Sequence, residues 1–217
     1  MAVIVSGNAL EIPGLRSLSF VEDESLKLMI PGDGRRRTRN PDLVVWHTTQ
    51  GYPDRKHPAP QYVREIPAEE RDCTGRATIR YWQRSPRVAG AHLVLDADGT
   101  VLCTCDLETE TAYHTPGQNG RSIGVEVVQA EDAALFRAQL DAVPILAEWL
   151  SATLRIDRRV RFPYRKVSVV GDSFRGHCGH RDCDDNRGWG DPGDYVMMAL
   201  PQGWERGGRG VRVRQGA

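Results

Sequence analysis

Gly179-His180-Arg181-Asp182 and, a few residues on, Gly190-Asp191-Pro192-Gly193 are the two segments from which the organisation of this chain is best understood. They place a histidine and an aspartate eleven residues apart, joined by a polar loop that contains glycine. Asp191 precedes a proline and then an apolar run at 195–200, a pattern typical of a helix N-cap followed by proline at the first helical position. Asp191 is therefore either a cap alone or, with His180 and a distant histidine, a ligand of a catalytic metal ion.

The composition is that of an ordinary globular protein. With 217 residues, the chain is long enough for one domain with appendages and a real hydrophobic core. It is 40% hydrophobic and 27% charged, and its formal net charge of zero does not indicate nucleic acid or anionic lipid as a partner. No apolar run approaches the ~20 residues of a membrane span, so no membrane partner is expected.

Two further features concern the compartment. The segment 1–7 lacks the basic stretch and apolar core of a secretory signal, which predicts synthesis in the cytoplasm without a signal peptide. The five cysteines are odd in number and form no CxxC pair, so disulfides are not expected. Cys103 and Cys105 share one face of a predicted strand and are interpreted as small buried side chains rather than as half of a metal site.

The remaining pattern predicts alternating strands and helices. The predicted elements are short strands at 2–5, 15–20 and 26–30, a buried strand at 43–49, a helix at 76–85, a hairpin of 91–95 with 100–105, a strand at 122–128, an amphipathic helix at 132–154 that Pro144 should kink or split, and a last strand at 166–170. They predict an α/β fold with a mixed central β-sheet flanked by helices. Residues 1–40 would form an N-terminal extension, 41–201 the main domain and 202–217 a flexible tail rich in glycine and arginine.

Two side chains in these strands are candidates for chemistry. His47 ends the apolar run 43–46, where it could be a metal ligand or a hydrogen-bonded structural histidine. Glu126 lies among β-branched residues, where an unpartnered carboxylate is costly, so it is either a general base or the outward-facing residue of an alternating strand. The basic run 35–39 is interpreted as a solvated loop rather than a phosphate site, because no aromatic residue interrupts it.

Four segments, in order, resemble one family. They are Trp46-His47-Thr48, the hairpin from Ala89 to Thr100, Asn119 to Glu126, and Gly179 to Gly193. Together they resemble the type 2 N-acetylmuramoyl-L-alanine amidases, zinc enzymes related to bacteriophage T7 lysozyme, to AmpD and to peptidoglycan recognition proteins. The resemblance covers residues 40–200 and implies the fold of that family.

The resemblance implies a set of roles. His47, His180 and Asp191 match the zinc ligands of the branch that carries aspartate. Glu126 matches the acid/base glutamate of AmpD-like members, and Ala91 stands where T7-type members use a tyrosine. Two imidazoles, one carboxylate and an open fourth position are also the usual donor set of a catalytic zinc.

One position departs from the family pattern. AmpD-like members carry a lysine two residues before the aspartate ligand, where this chain has Trp189. Arg187 is the expected replacement as the donor that stabilises the oxyanion, although it could instead pair with a nearby aspartate. His114 matches a histidine of the substrate groove, and Thr48 and Trp189 are further predicted substrate contacts.

The implied reaction is hydrolysis of the amide between N-acetylmuramic acid and L-alanine in peptidoglycan, by an endolysin of phage or prophage type. Peptidoglycan or a muropeptide is the expected partner of a monomer, which would reach the wall through a holin pore. One alternative is a peptidoglycan-recognition module without catalysis. Another is a zinc knuckle over His177–Cys183, but no second ligand pair follows at knuckle spacing.

Overall fold

The computed structural model describes residues 2–21, 36–49, 63–65, 74–86, 89–130, 133–162, 173–183 and 191–207. The strands are β1 (Val3–Val5), β2 (Asn8–Leu10), β3 (Ser17–Ser19), β4 (Leu43–Thr48), β5 (Val63–Arg64), β6 (Leu93–Leu95), β7 (Val101–Cys103), β8 (Ser122–Val127), β9 (Leu135–Phe136), β10 (Arg159–Val160), β11 (Gly176–Gly179) and β12 (Glu205–Arg206). The helices are α1 (Gly75–Arg84), α2 (Arg137–Leu154) and α3 (Asp194–Ala199).

An eight-stranded mixed sheet is the centre of the fold, with the strand order β12-β10-β11-β4-β8-β6-β7-β3. The strands β11, β4, β8 and β6 are parallel neighbours, and β6 and β7 form the predicted antiparallel hairpin. Every residue of β4 is buried, as its continuous apolar run predicts for a central parallel strand. The predicted mixed sheet flanked by helices is confirmed.

The sheet is covered on both faces. Every second side chain of β4 and of β8 points to one face of the sheet. On that face residues such as Val44 and Val125 pack with the buried face of α2 in the main apolar cluster. On the opposite face Ile79 of α1 packs against Val94 and Leu102. Successive strand residues point to opposite faces. Glu126 of β8 and His47 of β4 therefore face the α1 side of the sheet.

The helix α2 begins later than predicted and is one continuous element. Its start is displaced to Arg137 because Leu135 and Phe136 pair with β5 as strand β9, and the backbone N–H of Phe136 donates to the Gln139 side chain at 3.0 Å. The proline kink or split predicted at Pro144 does not divide the helix. Proline removes a single backbone hydrogen bond there, while a continuous buried face on both sides of it packs on the sheet.

The chain after Asp191 also differs from the predicted cap. The helix α3 begins only at Asp194, with Gly193 as its N-cap, and the peptide bond between Asp191 and Pro192 is cis. The interpretation of Asp191 as a helix cap is therefore wrong, because its side chain lies two residues before the cap position. The predicted strands at 26–30 and 166–170 lie outside the described residues.

Both edges of the sheet come from the ends of the chain. The strand β3 pairs in parallel with β7, and β12 pairs in parallel with β10. Residues 203–207, expected as part of the loosely attached tail, include β12 and the buried Trp204. In the part of the chain that is described, no helix has the length and apolar character needed to cross a membrane.

His177 is buried between β4, α2 and the C-terminal residues, on the opposite side of β11 from the site described below. The indole N–H of Trp46 donates to its Nδ1 at 3.2 Å, and its Nε2 lies 2.9 Å from the Ser151 hydroxyl. Burial lowers the pKa of His177 to about 3. In the unfolded chain the imidazole of His177 takes up a proton as the pH falls below the ordinary histidine pKa of about 6.5. In the folded protein the same imidazole stays neutral in that range.

This difference predicts an acid-sensitive contribution to stability. The contribution is fully present above pH ~6.5 and is lost as the pH falls from there towards 3, on the order of 5 kcal/mol in total. Urea unfolding across this range, with the protein pretreated with a metal chelator, should show a steeper loss of stability for the wild type than for His177→Gln, whose amide oxygen can still accept from Trp46. If the free energy of unfolding changed with pH in the same way for both proteins, the assignment of this acid sensitivity to His177 would be refuted.

Candidate active site

Three segments bring a possible metal site together at the carboxyl ends of the central strands. His47 is the fifth residue of β4, His180 follows β11 directly, and Asp191 lies just before Pro192. One ligand atom from each side chain lies within 4.8 Å of the others, and all three residues are buried. Because β11 and β4 are parallel neighbours, their carboxyl ends meet at one sheet edge, which explains how residues far apart in sequence converge.

The distances among the three side chains are those of groups that face a common point. His180 Nδ1 lies 2.9 Å from Asp191 Oδ2, and His47 Nδ1 lies 3.5 Å from Asp191 Oδ1. The centroids of the two imidazole rings are 4.5 Å apart. Neither ring nitrogen of His180 completes a hydrogen bond with the described residues, despite the 2.9 Å approach to Asp191. Buried imidazole nitrogens without hydrogen bonds are costly unless a ligand satisfies one of them.

Asp191 is held through both its carboxylate and its backbone. The backbone N–H of Thr48 donates to Oδ1 at 3.3 Å, and the backbone carbonyl of Asp191 accepts from Arg181 N–H at 2.7 Å. Burial alone would raise the pKa of Asp191, but the neighbouring His180 and His47 outweigh it and hold that pKa far below its usual value. The side chain is therefore an anion beside two imidazoles, which is the charge state that a cation site needs.

Glu126 lies next to this cluster. It is the partner of His47 in the parallel register of β4 with β8, so the two side chains emerge side by side from one face of the sheet. Both line a cleft of about 340 Å³, together with Thr48, His114, His180 and Asp191. The interpretation of Glu126 as an outward-facing surface residue does not fit this position, because the side chain faces the cleft.

His114 is a half-buried neighbour of His47 on the same face. Its Nδ1 lies 3.0 Å from His47 Nε2, and its Nε2 lies 3.0 Å from the Ser122 hydroxyl. The ring occupies the space above Gly124, where a Cβ atom would come within 2.6 Å of it. Burial, followed by the charges of His47 and His92, lowers the pKa of His114 well below the ordinary value, so the ring is neutral.

Sequence reasoning missed several cleft residues. Tyr81, Trp82 and Ser85 come from α1 and its end, and Tyr113 precedes His114. The sequence carries no signal that separates these residues from ordinary core aromatics; only the structure shows that Tyr81, a large aromatic residue, is 69% exposed. Arg187 and Trp189 lie outside the described residues.

The model of one protein family, described as N-acetylmuramoyl-L-alanine amidase, matches residues 37–194, which are 158 of the 217 residues. The chain belongs to this family. Membership makes it an amidase that acts on peptidoglycan, and it places all three clustered residues, His47, His180 and Asp191, inside the matched range.

Comparison with solved structures finds several proteins that are named endolysins. A mutant endolysin from Bacillus subtilis is 14% identical, with a TM-score of 0.53 over 86% of this chain and 99% of the other. The Ph2119 endolysin of a Thermus scotoductus bacteriophage is 17% identical, with a TM-score of 0.49 over 85% and 98%. The endolysin amidase LysCS from Clostridium intestinale is 14% identical, with a TM-score of 0.49 over 88% and 99%. No curated protein matches the sequence.

Proposed function

We propose that this amidase is zinc-dependent and that His47, His180 and Asp191 hold the ion. The observation that carries the proposal is the convergence of two imidazoles and one carboxylate, with both ring nitrogens of buried His180 lacking a hydrogen bond among the described residues. This donor set fits a catalytic zinc, which takes three protein ligands and leaves a fourth position open. The open side is the cleft itself, since all three residues line it.

The roles of the remaining residues follow from their places in the cleft. Zinc, when bound, supplies a Lewis acid that polarises the carbonyl of the scissile amide and acidifies water. Glu126 accepts the proton of the attacking water on its carboxylate and passes it to the leaving amine. The cleft is lined by Thr48 and by the α1 aromatic residues, which orient the muramoyl group and the L-alanine of the stem peptide.

One experiment tests the reaction and the metal together. Purified peptidoglycan is incubated with the protein as isolated, after removal of metal with a chelator, and after readdition of zinc. Mass spectrometry should detect stem peptides with a free L-alanine amino terminus in the first and third reactions only. A recognition module without catalysis would instead sediment with peptidoglycan and release no peptide under any of the three conditions.

We infer further that the chain is a cell-wall lytic enzyme of the endolysin type. The support is the fold shared with the endolysin from Bacillus subtilis, which remains a likeness of fold alone. The protein added to suspended bacteria whose outer surface exposes peptidoglycan should lower their turbidity. Turnover of soluble muropeptides without any effect on intact walls would indicate recycling of wall fragments instead.

Arg187 and Trp189 remain predictions from the sequence. One oxyanion donor is commonly worth about 2.7–4 kcal/mol of transition-state stabilisation, and the guanidinium of Arg187 has five donors in a fixed plane. Arg187→Ala should therefore lower kcat at least about tenfold while the zinc content stays the same. Trp189→Ala should mainly raise KM. Steady-state kinetics on a defined muropeptide, with metal analysis of each variant, measures both effects; normal turnover by Arg187→Ala would make that arginine structural.

A further inference from the structure

A chain of hydrogen bonds leads away from the proposed metal site into the protein. His47 Nε2 lies 3.0 Å from His114 Nδ1, and His114 Nε2 lies 3.0 Å from the Ser122 hydroxyl oxygen. The Ser122 hydroxyl is in turn 2.7 Å from the backbone carbonyl oxygen of Gln118. Ser122 is completely buried, whereas His114 is half-buried and lines the cleft.

The direction of each bond follows from the last acceptor. A carbonyl oxygen can only accept, so Ser122 must donate its single hydroxyl hydrogen to Gln118. The Ser122 oxygen can then only accept from His114, which places a hydrogen on His114 Nε2. A neutral imidazole carries one ring hydrogen, so His114 Nδ1 is a bare acceptor and His47 Nε2 must be the donor.

We propose that His114 and Ser122 are positioning residues that fix the tautomer of His47, so that its bare Nδ1 faces Asp191 and is available to a metal ion. The position of the other ring nitrogen agrees with this tautomer, because Nδ1 of His47 lies 3.5 Å from the Asp191 carboxylate. The proposal rests on the proposed zinc site and replaces the prediction that His114 serves mainly to contact substrate. Partners that hold the second ring nitrogen of a ligating histidine generally tune both its orientation and its affinity for metal.

Two local features hold the His114 ring in this position, the loop around Asn119 and the absence of a side chain at Gly124. The side chain of Asn119 accepts from the backbone N–H groups of His114 and Thr115, at 2.9 and 2.7 Å, which fixes the loop that carries the ring. Gly124 leaves the space that the ring fills, since a Cβ there would lie 2.6–2.8 Å from three of its atoms. These contacts hold the ring between His47 and Ser122 with its two nitrogens at bonding distance from both.

The test removes the Ser122 hydroxyl and measures zinc binding directly. Ser122→Ala leaves His114 Nε2–H without its acceptor, so we expect zinc affinity, measured by competition with a chromogenic chelator, to fall roughly 10–100-fold. Ser122→Thr keeps a hydroxyl and should restore most of the affinity. Ser151→Ala is the matched control, because it removes another buried serine–histidine hydrogen bond, that to His177 at 2.9 Å, on the other side of the sheet; its zinc affinity should equal that of the wild type.

A second readout does not depend on zinc. In the zinc-free wild type, nitrogen NMR of the labelled imidazole rings should show His47 protonated on Nε2 and bare on Nδ1. In Ser122→Ala the same ring should show a mixture of the two tautomers. A wild-type His47 protonated on Nδ1 would overturn the proposal even if the variant failed to fold, as would a Ser122→Ala protein with unchanged zinc affinity.

The failure of this proposal is distinguishable from that of the zinc assignment. A wild type that binds no zinc would refute the proposed function, whereas a wild type that binds zinc alongside an equally tight Ser122→Ala variant would refute the positioning role alone.

Discussion

His180→Ala is expected to abolish zinc binding and amidase activity together. The substitution removes one of the three proposed ligands, whose candidate atoms lie within 4.8 Å of one another, and the two that remain would be one fewer than a catalytic zinc takes from its protein. Metal analysis of the purified variant should find less than about one tenth of the wild-type zinc content. Peptide release from peptidoglycan should fall to the level of the reaction without protein.

The fold itself should survive this change, and a nearby histidine provides the control. His177→Gln alters a buried imidazole three residues earlier, on the side of β11 that faces Trp46 and α2, so it should retain zinc and turnover. The zinc assignment would be refuted if the double variant His47→Ala, His180→Ala still carried one equivalent of the ion, because the metal would then be bound elsewhere.

Glu126→Gln is expected to lower kcat by roughly 10²–10⁴-fold while the zinc content stays the same. Glutamine has the size and shape of glutamate but cannot accept a proton from water at neutral pH. The side chain lies beside His47 through the register of β4 with β8 and lines the same cleft, so it is within the site without being one of the three clustered ligands. Single-turnover kinetics on a muropeptide, with zinc analysis of the same sample, separates loss of the base from loss of the metal.

Glu205→Gln is a matched control on the far edge of the sheet. It makes the same chemical change in a carboxylate that pairs with Arg159 at 2.9 Å and lies outside the cleft, so its turnover should equal that of the wild type. Near-normal kcat in Glu126→Gln would assign proton transfer to a different residue.

The parts of the fold that depend on local pattern could be predicted from the sequence. The β6–β7 hairpin has an apolar strand, an Asp/Gly turn and a second apolar strand, and the continuous apolar run before His47 marks a fully buried strand. The pairing of His47 with Glu126 could not be predicted in this way, because the register of two parallel strands is set by packing between distant segments.

The parts that the sequence left open involve short or distant contacts. The strands β9 and β12 have two residues each, too few for a periodic signal, yet β9 determines where α2 begins. The sequence leaves Asp191 open between a helix cap and a metal ligand, and it is the fold that places the carboxylate beside His180 and the backbone N–H of Thr48. The hydrogen-bonded path from His47 to Gln118 joins four residues through contacts that no spacing rule encodes.

The two edge strands of the sheet, β3 at 17–19 and β12 at 205–206, both lie outside residues 37–194 that match the amidase family. A shortened protein limited to the family range would therefore expose the free backbone groups of β7 on one side and of β10 on the other. Unpaired strand edges are templates for pairing with other chains. An attempt to reduce this enzyme to its family range should therefore yield a protein that self-associates, even though every residue of the cleft would be present.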